Sequence, residues 1–225
     1  DDFVLRYKER FPSKHELGCK RYAGLNIDHK PGVSLAIHQR HHIENAYNKF
    51  VTDKDAAAKS SYALRPAVSD RNSAFHYSKL HHAANDTERT AMKTQPYLAA
   101  LATVMYTTYW TNPHLNYHTS FLGQFMHDPS PACMDALLGI LIYQYHHRDV
   151  DIIVYGGSLH VPRVIPDNRR DDFLAGFGFH GYCDASWLLR SPAAFLVFLC
   201  NGPIDWSSKL IRVICHSSAE AEISA

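Results

Sequence analysis

The chain carries sixteen histidines, and two pairs of them stand at a spacing that could do chemistry. His38/His42 and His114/His118 are four residues apart, which on a helix sets two imidazoles on one face as possible zinc ligands. A zinc site needs a third protein ligand and a supporting shell, and no Cys or Glu falls at motif spacing near either pair. The tandem pairs His41-His42, His81-His82 and His146-His147 read as surface or interface histidines that gain positive charge below about pH 6.5. Among the carboxylates, Asp1 and Asp2 are adjacent and open an amphipathic helical pattern, where the macrodipole favours acids. Asp184 falls in the middle of a strand pattern, whereas Glu220 and Glu222 fall in a helix opened by Ser217-Ser218. On that helix the two glutamates lie about 200° apart, so only one can face a given neighbour. Thirteen tyrosines and eleven phenylalanines could stack bases, but most sit on apolar faces and read as core.

Five cysteines (Cys19, Cys133, Cys183, Cys200 and Cys215) form no CxxC pair and leave one over if paired. They read as buried, reduced thiols of an intracellular protein, with the last three in adjacent strands. The chain of 225 residues is long enough for a substantial core, and 46% hydrophobic with 20% charged residues excludes global disorder. The longest apolar runs, 137–143 and 193–200, are far below the roughly 18 residues that span a bilayer. The amphipathic N-terminus lacks a signal-peptide core, so the chain reads as soluble. Net charge is +1 but uneven. Residues 1–95 hold 16 Lys/Arg against 11 Asp/Glu, whereas 96–176 hold 4 against 7 and 177–225 hold 3 against 4. Only the first third could track a phosphate backbone.

The elements that must position these groups follow from periodicity and turn residues. Residues 21–28 and 33–38 read as a hairpin about His29-Lys30-Pro31-Gly32, followed by a helix over 39–51 with Ile43, Ala46, Tyr47 and Phe50 on one face. Residues 53–94 lack sustained periodicity and read as an ordered excursion or linker. Helices follow at about 96–110, 114–127 and 131–145, with Ser130 as the natural cap of the third. A short β-branched run at 151–155 ends at Gly156-Gly157. Strands around Asp184, Phe195 and Trp206 then precede the helix at 217, with Phe195 and Phe198 on the central strand.

Three blocks in this order resemble the end of the copia-type LTR retrotransposon polyprotein. FPSKHELGCKRYAGLNIDHKPGVSLAIHQRHHIENAYNKF resembles the last palm strands and first thumb helix of its reverse transcriptase, with Leu17-Gly18 and Gln39 in their usual places. The run from Pro96 to Asp149 is similar to the helical connection. The strand with Asp184, the Trp206-Ser207-Ser208-Lys209 strand and Ser217-Ser218-Ala219-Glu220-Ala221-Glu222 resemble the opening of ribonuclease H. The resemblance implies a mixed α/β fold: a β-hairpin and helix, a helical connection, and a partial RNase H-like sheet of three antiparallel strands with its first helix. The implied division is 1–52 palm-end and thumb piece, 53–95 linker, 96–157 connection and 158–225 truncated RNase H-like domain.

The resemblance also implies that Asp184 and Glu222 are metal-binding catalytic carboxylates for Mg²⁺. In that family polymerase chemistry comes from a Tyr-x-Asp-Asp turn, which this chain lacks. A third nuclease carboxylate comes from a strand beyond the position of Ala225, so hydrolysis by this chain alone is not expected. No other cofactor is expected. Departures from the family remove cations: Thr111-Asn112-Pro113-His114 stands where Thr-Arg-Pro-Asp is usual, and Gln124 where an Arg commonly precedes Phe125. The turn Trp187-Leu188-Leu189-Arg190-Ser191-Pro192 is shorter and more apolar than usual, which fits a partner surface or drift in a disused element. Two functions stay open. One is a catalytically incomplete reverse transcriptase/ribonuclease H remnant that binds RNA or RNA–DNA hybrid. The other is a co-opted, non-enzymatic subunit of a larger protein or ribonucleoprotein complex, with another chain covering the exposed sheet edge.

Overall fold

The computed structural model describes residues 6–7, 9–11, 18–66, 76–149, 153–156, 178–185, 192–210 and 217. Two turns set the first strands. β1 (Arg21–Tyr22) and β2 (Leu25–Lys30) join through Ala23 and Gly24, both at positive φ, 47° and 80°. A two-residue hairpin needs that twist, and Ala23 bears the cost of a Cβ in the left-handed region. β2 passes into β3 (Ser34–His38) through Pro31, which presets the first corner, and Gly32, which takes φ 70° at the second. Val33 N closes this turn by donating to Lys30 O at 2.9 Å. The expected hairpin forms, with its strand carried on to Lys30.

β4 (Ile153–Gly156) is the fourth strand of this sheet, antiparallel to β3 with Ser34 opposite Gly156 and Ile37 opposite Ile153. The sequence marks it as a short β-branched run, but nothing local reveals a partner more than a hundred residues upstream. Between β3 and β4 runs the helical body. α1 (Arg40–Phe50) buries Ile43, Ala46, Tyr47 and Phe50, the face that its periodicity marks. The unperiodic stretch after it holds short capped helices. Asp53 caps α2 (Lys54–Lys59) by accepting from Ala56 N at 2.9 Å, and Asn85 caps α3 (Asp86–Met92) by accepting from Glu88 N at 2.9 Å.

α4 (Tyr97–Trp110), a 3-10 turn at Pro113–Leu115, α5 (Asn116–Gly123) and α6 (Pro131–His147) complete the body. Pro131 takes the first turn of α6 as expected. Ser130 stands at the cap position, but its hydroxyl donates to Cys133 Sγ at 3.3 Å instead of capping the backbone. The core gathers on α6, where Leu137, Ile140 and Leu141 are fully buried against Phe50, Leu101 and Leu122.

The second sheet is β5 (His180–Ala185), β6 (Pro192–Leu199) and β7 (Gly202–Leu210), antiparallel in that order with β6 central. The expected three-stranded sheet, with Phe195 and Phe198 on its middle strand, is present. Cys183 lies in β5, but Cys200 sits in the β6–β7 turn at φ 50° beside Asn201 at φ 68°, not in a strand. Cys215 and the helix expected from 217, apart from Ser217 itself, lie outside the described residues. The fold is mixed α/β with two antiparallel sheets. Among the described residues no helix is long and apolar enough to cross a membrane.

The two sheets meet at the β6–β7 turn. Gly156 N donates to Cys200 O at 2.8 Å, Asn201 Nδ2 donates to Gly156 O at 3.2 Å, and Tyr155 OH donates to Pro203 O at 2.7 Å. Gly202 allows this approach, since a Cβ there would lie 2.3 Å from the Tyr155 ring. Gly202→Ala should therefore lose about 1–3 kcal/mol in urea denaturation. Gly181→Ala, whose Cβ would meet only ordinary contacts from 3.4 Å outward, should stay close to the parent.

Candidate functional site

Strand register decides which side chains share a face. Asp184 stands opposite Ala194, which stands opposite Ser208, while Tyr182, Leu196 and Trp206 form the next row. With a period of two, these six side chains line one face of the second sheet. That face is fastened to the helical body at two points. Asn112 N bonds to Thr107 O, which leaves Thr108 O at the end of α4 without its helical partner. Trp206 Nε1 fills the gap, donating to Thr108 O at 2.6 Å. Ser120 Oγ on α5 donates to Ser208 O at 2.6 Å.

An open cleft of about 340 Å³ lies between this face and the start of α5. Tyr182, Leu196 and Trp206 line it from the sheet, and Pro113, His114 and Tyr117 line it from the helical side. Asp184 is exposed and is the one carboxylate among the described lining residues. No hydrogen bond or ion pair engages it among the described residues. Neighbouring aromatic rings extend the face: His180 stacks on Phe198 with centroids 5.0 Å apart, and Tyr182 meets Phe198 edge-on at 6.1 Å.

The structure brings Asp184 to a cleft. Glu222 lies outside the described residues, as do Glu220, the 187–191 turn and the acids Asp1 and Asp2. A two-Mg²⁺ site needs a cage of carboxylates, because Mg²⁺ sheds water reluctantly. Among the described residues no group of three or more His, Cys, Asp or Glu side chains could hold a metal ion. Asp184 is thus the one of the two expected carboxylates that the described residues include.

Neither histidine pair shares a helix. His38 ends β3 while His42 lies in α1, and His114 lies in the 3-10 turn while His118 lies in α5. His38 is buried and serves its own sheet, with Nε2 3.4 Å from Asp28 Oδ2 and Nδ1 3.4 Å from Asn26 Nδ2. His42 Nε2 lies 3.3 Å from Thr103 O. The i, i+4 spacing misleads here because the helix boundary falls inside each pair. Trp206 and Tyr117 were missed as site residues, although Trp206 was already placed in a strand.

The chain is 33% identical over 140 residues to "Secreted RxLR effector protein 161" of Plasmopara viticola, a match covering 60% of this chain and 86% of that protein. The chain belongs to the family of that protein. This chain is also 30% identical over 118 residues to the retrovirus-related Pol polyprotein from transposon RE2 of Arabidopsis thaliana, covering 50% of this chain and 7% of the polyprotein. It is 27% identical over 143 residues to the Pol polyprotein from transposon TNT 1-94 of Nicotiana tabacum, covering 61% of this chain and 9% of the polyprotein. The chain thus spans less than a tenth of these polyproteins. These similarities support a retrotransposon polyprotein origin for this chain. No family model and no solved structure matches it.

Burial on α5 lowers the pKa of His118 from 6.5 to about 4. Between those values the unfolded chain binds a proton that the native chain refuses, so stability is lost as pH falls through that window. The parent should lose up to about 3 kcal/mol from this group between pH 7 and pH 4. His118→Gln should lack that part of the slope in denaturation curves taken across the range.

Proposed function

We propose that this chain is the closing part of a copia-type reverse transcriptase/ribonuclease H, acting as a binding and assembly unit and not as a nuclease. In this reading residues 1–52 are the palm-end and thumb piece, 53–95 an ordered excursion, 96–157 the connection and 158–225 the opening of the RNase H-like domain. The observation that carries it is the docking of the Asp184-bearing antiparallel sheet onto the helices just upstream, through Trp206 and Ser208. Asp184 and Glu222 are the residues to which the Mg²⁺ chemistry of the parent enzyme would fall. Among the described residues, the cleft around Asp184 is walled by aromatic side chains.

A second reading has its own support. Most of the Plasmopara viticola relative is the matched segment, so this segment exists as the bulk of a separate protein. That favours a co-opted, non-enzymatic subunit whose partners are protein chains. Hybrid binding would rest on the basic first third, where phosphate contacts make affinity fall steeply with salt.

Incubation of the purified protein with a labelled RNA–DNA hybrid in Mg²⁺ or Mn²⁺ tests the proposal. Cleavage should not exceed that of Asp184→Asn, and any band shift should fade as salt rises. Metal-dependent cleavage that Asp184→Asn or Glu222→Gln abolishes would overturn it.

A further inference from the structure

The cleft beside Asp184 has a chemistry of its own. Among its described lining residues there is one carboxylate and no lysine or arginine. Lys209 is next to Ser208 in β7, but it pairs opposite Ala193, on the other face of the sheet. A phosphate entering the cleft would meet a negative charge with no lysine or arginine of the described lining to offset it. A divalent ion would find a single carboxylate and have to keep most of its water. The walls are Tyr117, Tyr182 and Trp206, and the indole N–H is already spent on Thr108 O. Aromatic faces beside an unpaired carboxylate attract organic cations.

Among such cations the planar guanidinium fits best, because it can stack on a ring and meet a carboxylate with two parallel donors, which an ammonium cannot. The volume of about 340 Å³ leaves room for one long side chain. β5 pairs only with β6 among the described residues, and Gly181, Tyr182, Cys183 and Asp184 are exposed in succession along it. The free side of β5 can hold the backbone of an extended segment while a side chain of that segment enters the cleft.

We propose that this cleft is the seat of an arginine presented by an extended segment of a protein partner, with Asp184 as its counter-charge and Trp206, Tyr182 and Tyr117 as its stacking walls. The inference rests on the reading of the chain as a binding unit. It assigns Asp184, the residue that the resemblance marks for metal, to a cation of a partner.

The test is a titration with a short extended peptide carrying a central arginine, followed by NMR at the Trp206 indole N–H, which Trp206→Phe identifies. The arginine peptide should shift that signal. Affinity should drop at least tenfold for the same peptide with citrulline, and by a similar factor for Asp184→Asn. Equal binding of the arginine and citrulline peptides overturns the proposal without relying on any variant. Displacement of the peptide by millimolar Mg²⁺, or a shift of the Trp206 signal by RNA–DNA hybrid alone, also overturns it in favour of a metal or nucleic-acid site. Hybrid cleavage in the assay above sinks the binding-unit reading whatever the peptide does. An unmoved Trp206 signal in a protein that does not cleave sinks the arginine seat alone.

Discussion

A helix buried over most of its circumference must be covered by several elements at once, and α6 imposes that constraint on this protein. Ala136, Ile140, Cys133, Leu137, Leu141 and Met134 make one buried stripe about 160° wide, and Gly139 and Ile142 carry burial beyond it, while Asp135 and His146 are exposed. α1, α3, α4 and α5 supply the cover, together with a 3-10 turn at Ser61–Ala63. Each fully buried Leu or Ile contributes about 1.5–3 kcal/mol by leaving water, so the bundle closes around this one element. The rim of the α1–α6 contact adds specificity: Tyr47 stacks on Tyr145 at 3.9 Å, and Arg148 lies 4.2 Å over the Tyr145 ring with Nε 3.0 Å from Glu44 Oε1.

Several polar groups inside this body are paired in ways that tie its parts together, although Gln39 Nε2 is buried without a hydrogen-bond partner among the described residues. Thr111 Oγ1 donates to Gln39 Oε1 at 2.9 Å, joining the end of α4 to the β3–α1 junction. Gln144 Nε2 on α6 donates to Thr107 Oγ1 at 2.5 Å. Such bonds add only about 0.5–1.5 kcal/mol each, but leaving the groups unmade costs more, so they select one arrangement of the helices. Asn112 is fully buried beside this network, with Oδ1 3.2 Å from Thr111 Oγ1. A charged side chain at this position would need a way out to solvent or a buried counter-charge.

The second sheet is hung on the ends of α4 and α5, and that placement gives Asp184 its surroundings. A strand face carrying Tyr182, Leu196 and Trp206 needs cover, and the stretch from Pro113 to Tyr117 covers it only in part. What remains open is an aromatic cleft with an acid at its edge. Among the described residues, those aromatic walls and the single acid are what packing sets side by side.

Much of the local structure was legible because its causes are local. The 3.6 period of Ile43, Ala46, Tyr47 and Phe50 marked the buried face of α1, the Pro31-Gly32 corner marked the hairpin, and the apolar run at 193–200, with the motifs around Asp184 and Trp206, marked β5, β6 and β7. Pairing across long stretches of chain was not legible. β4 joins β3 more than a hundred residues away through backbone groups, and the Trp206 indole reaches back to the backbone carbonyl of Thr108, acceptors that carry no residue-specific signal. The histidine spacings misled for a related reason, since a helix boundary is set by which carbonyls find partners and not by the count between two residues. By itself the sequence determined the element types, the mixed α/β class and the polyprotein ancestry, because periodicity, turn residues and motif order are local. Only the tertiary structure decided what stands around Asp184, because the neighbours of a side chain are fixed by packing between distant segments.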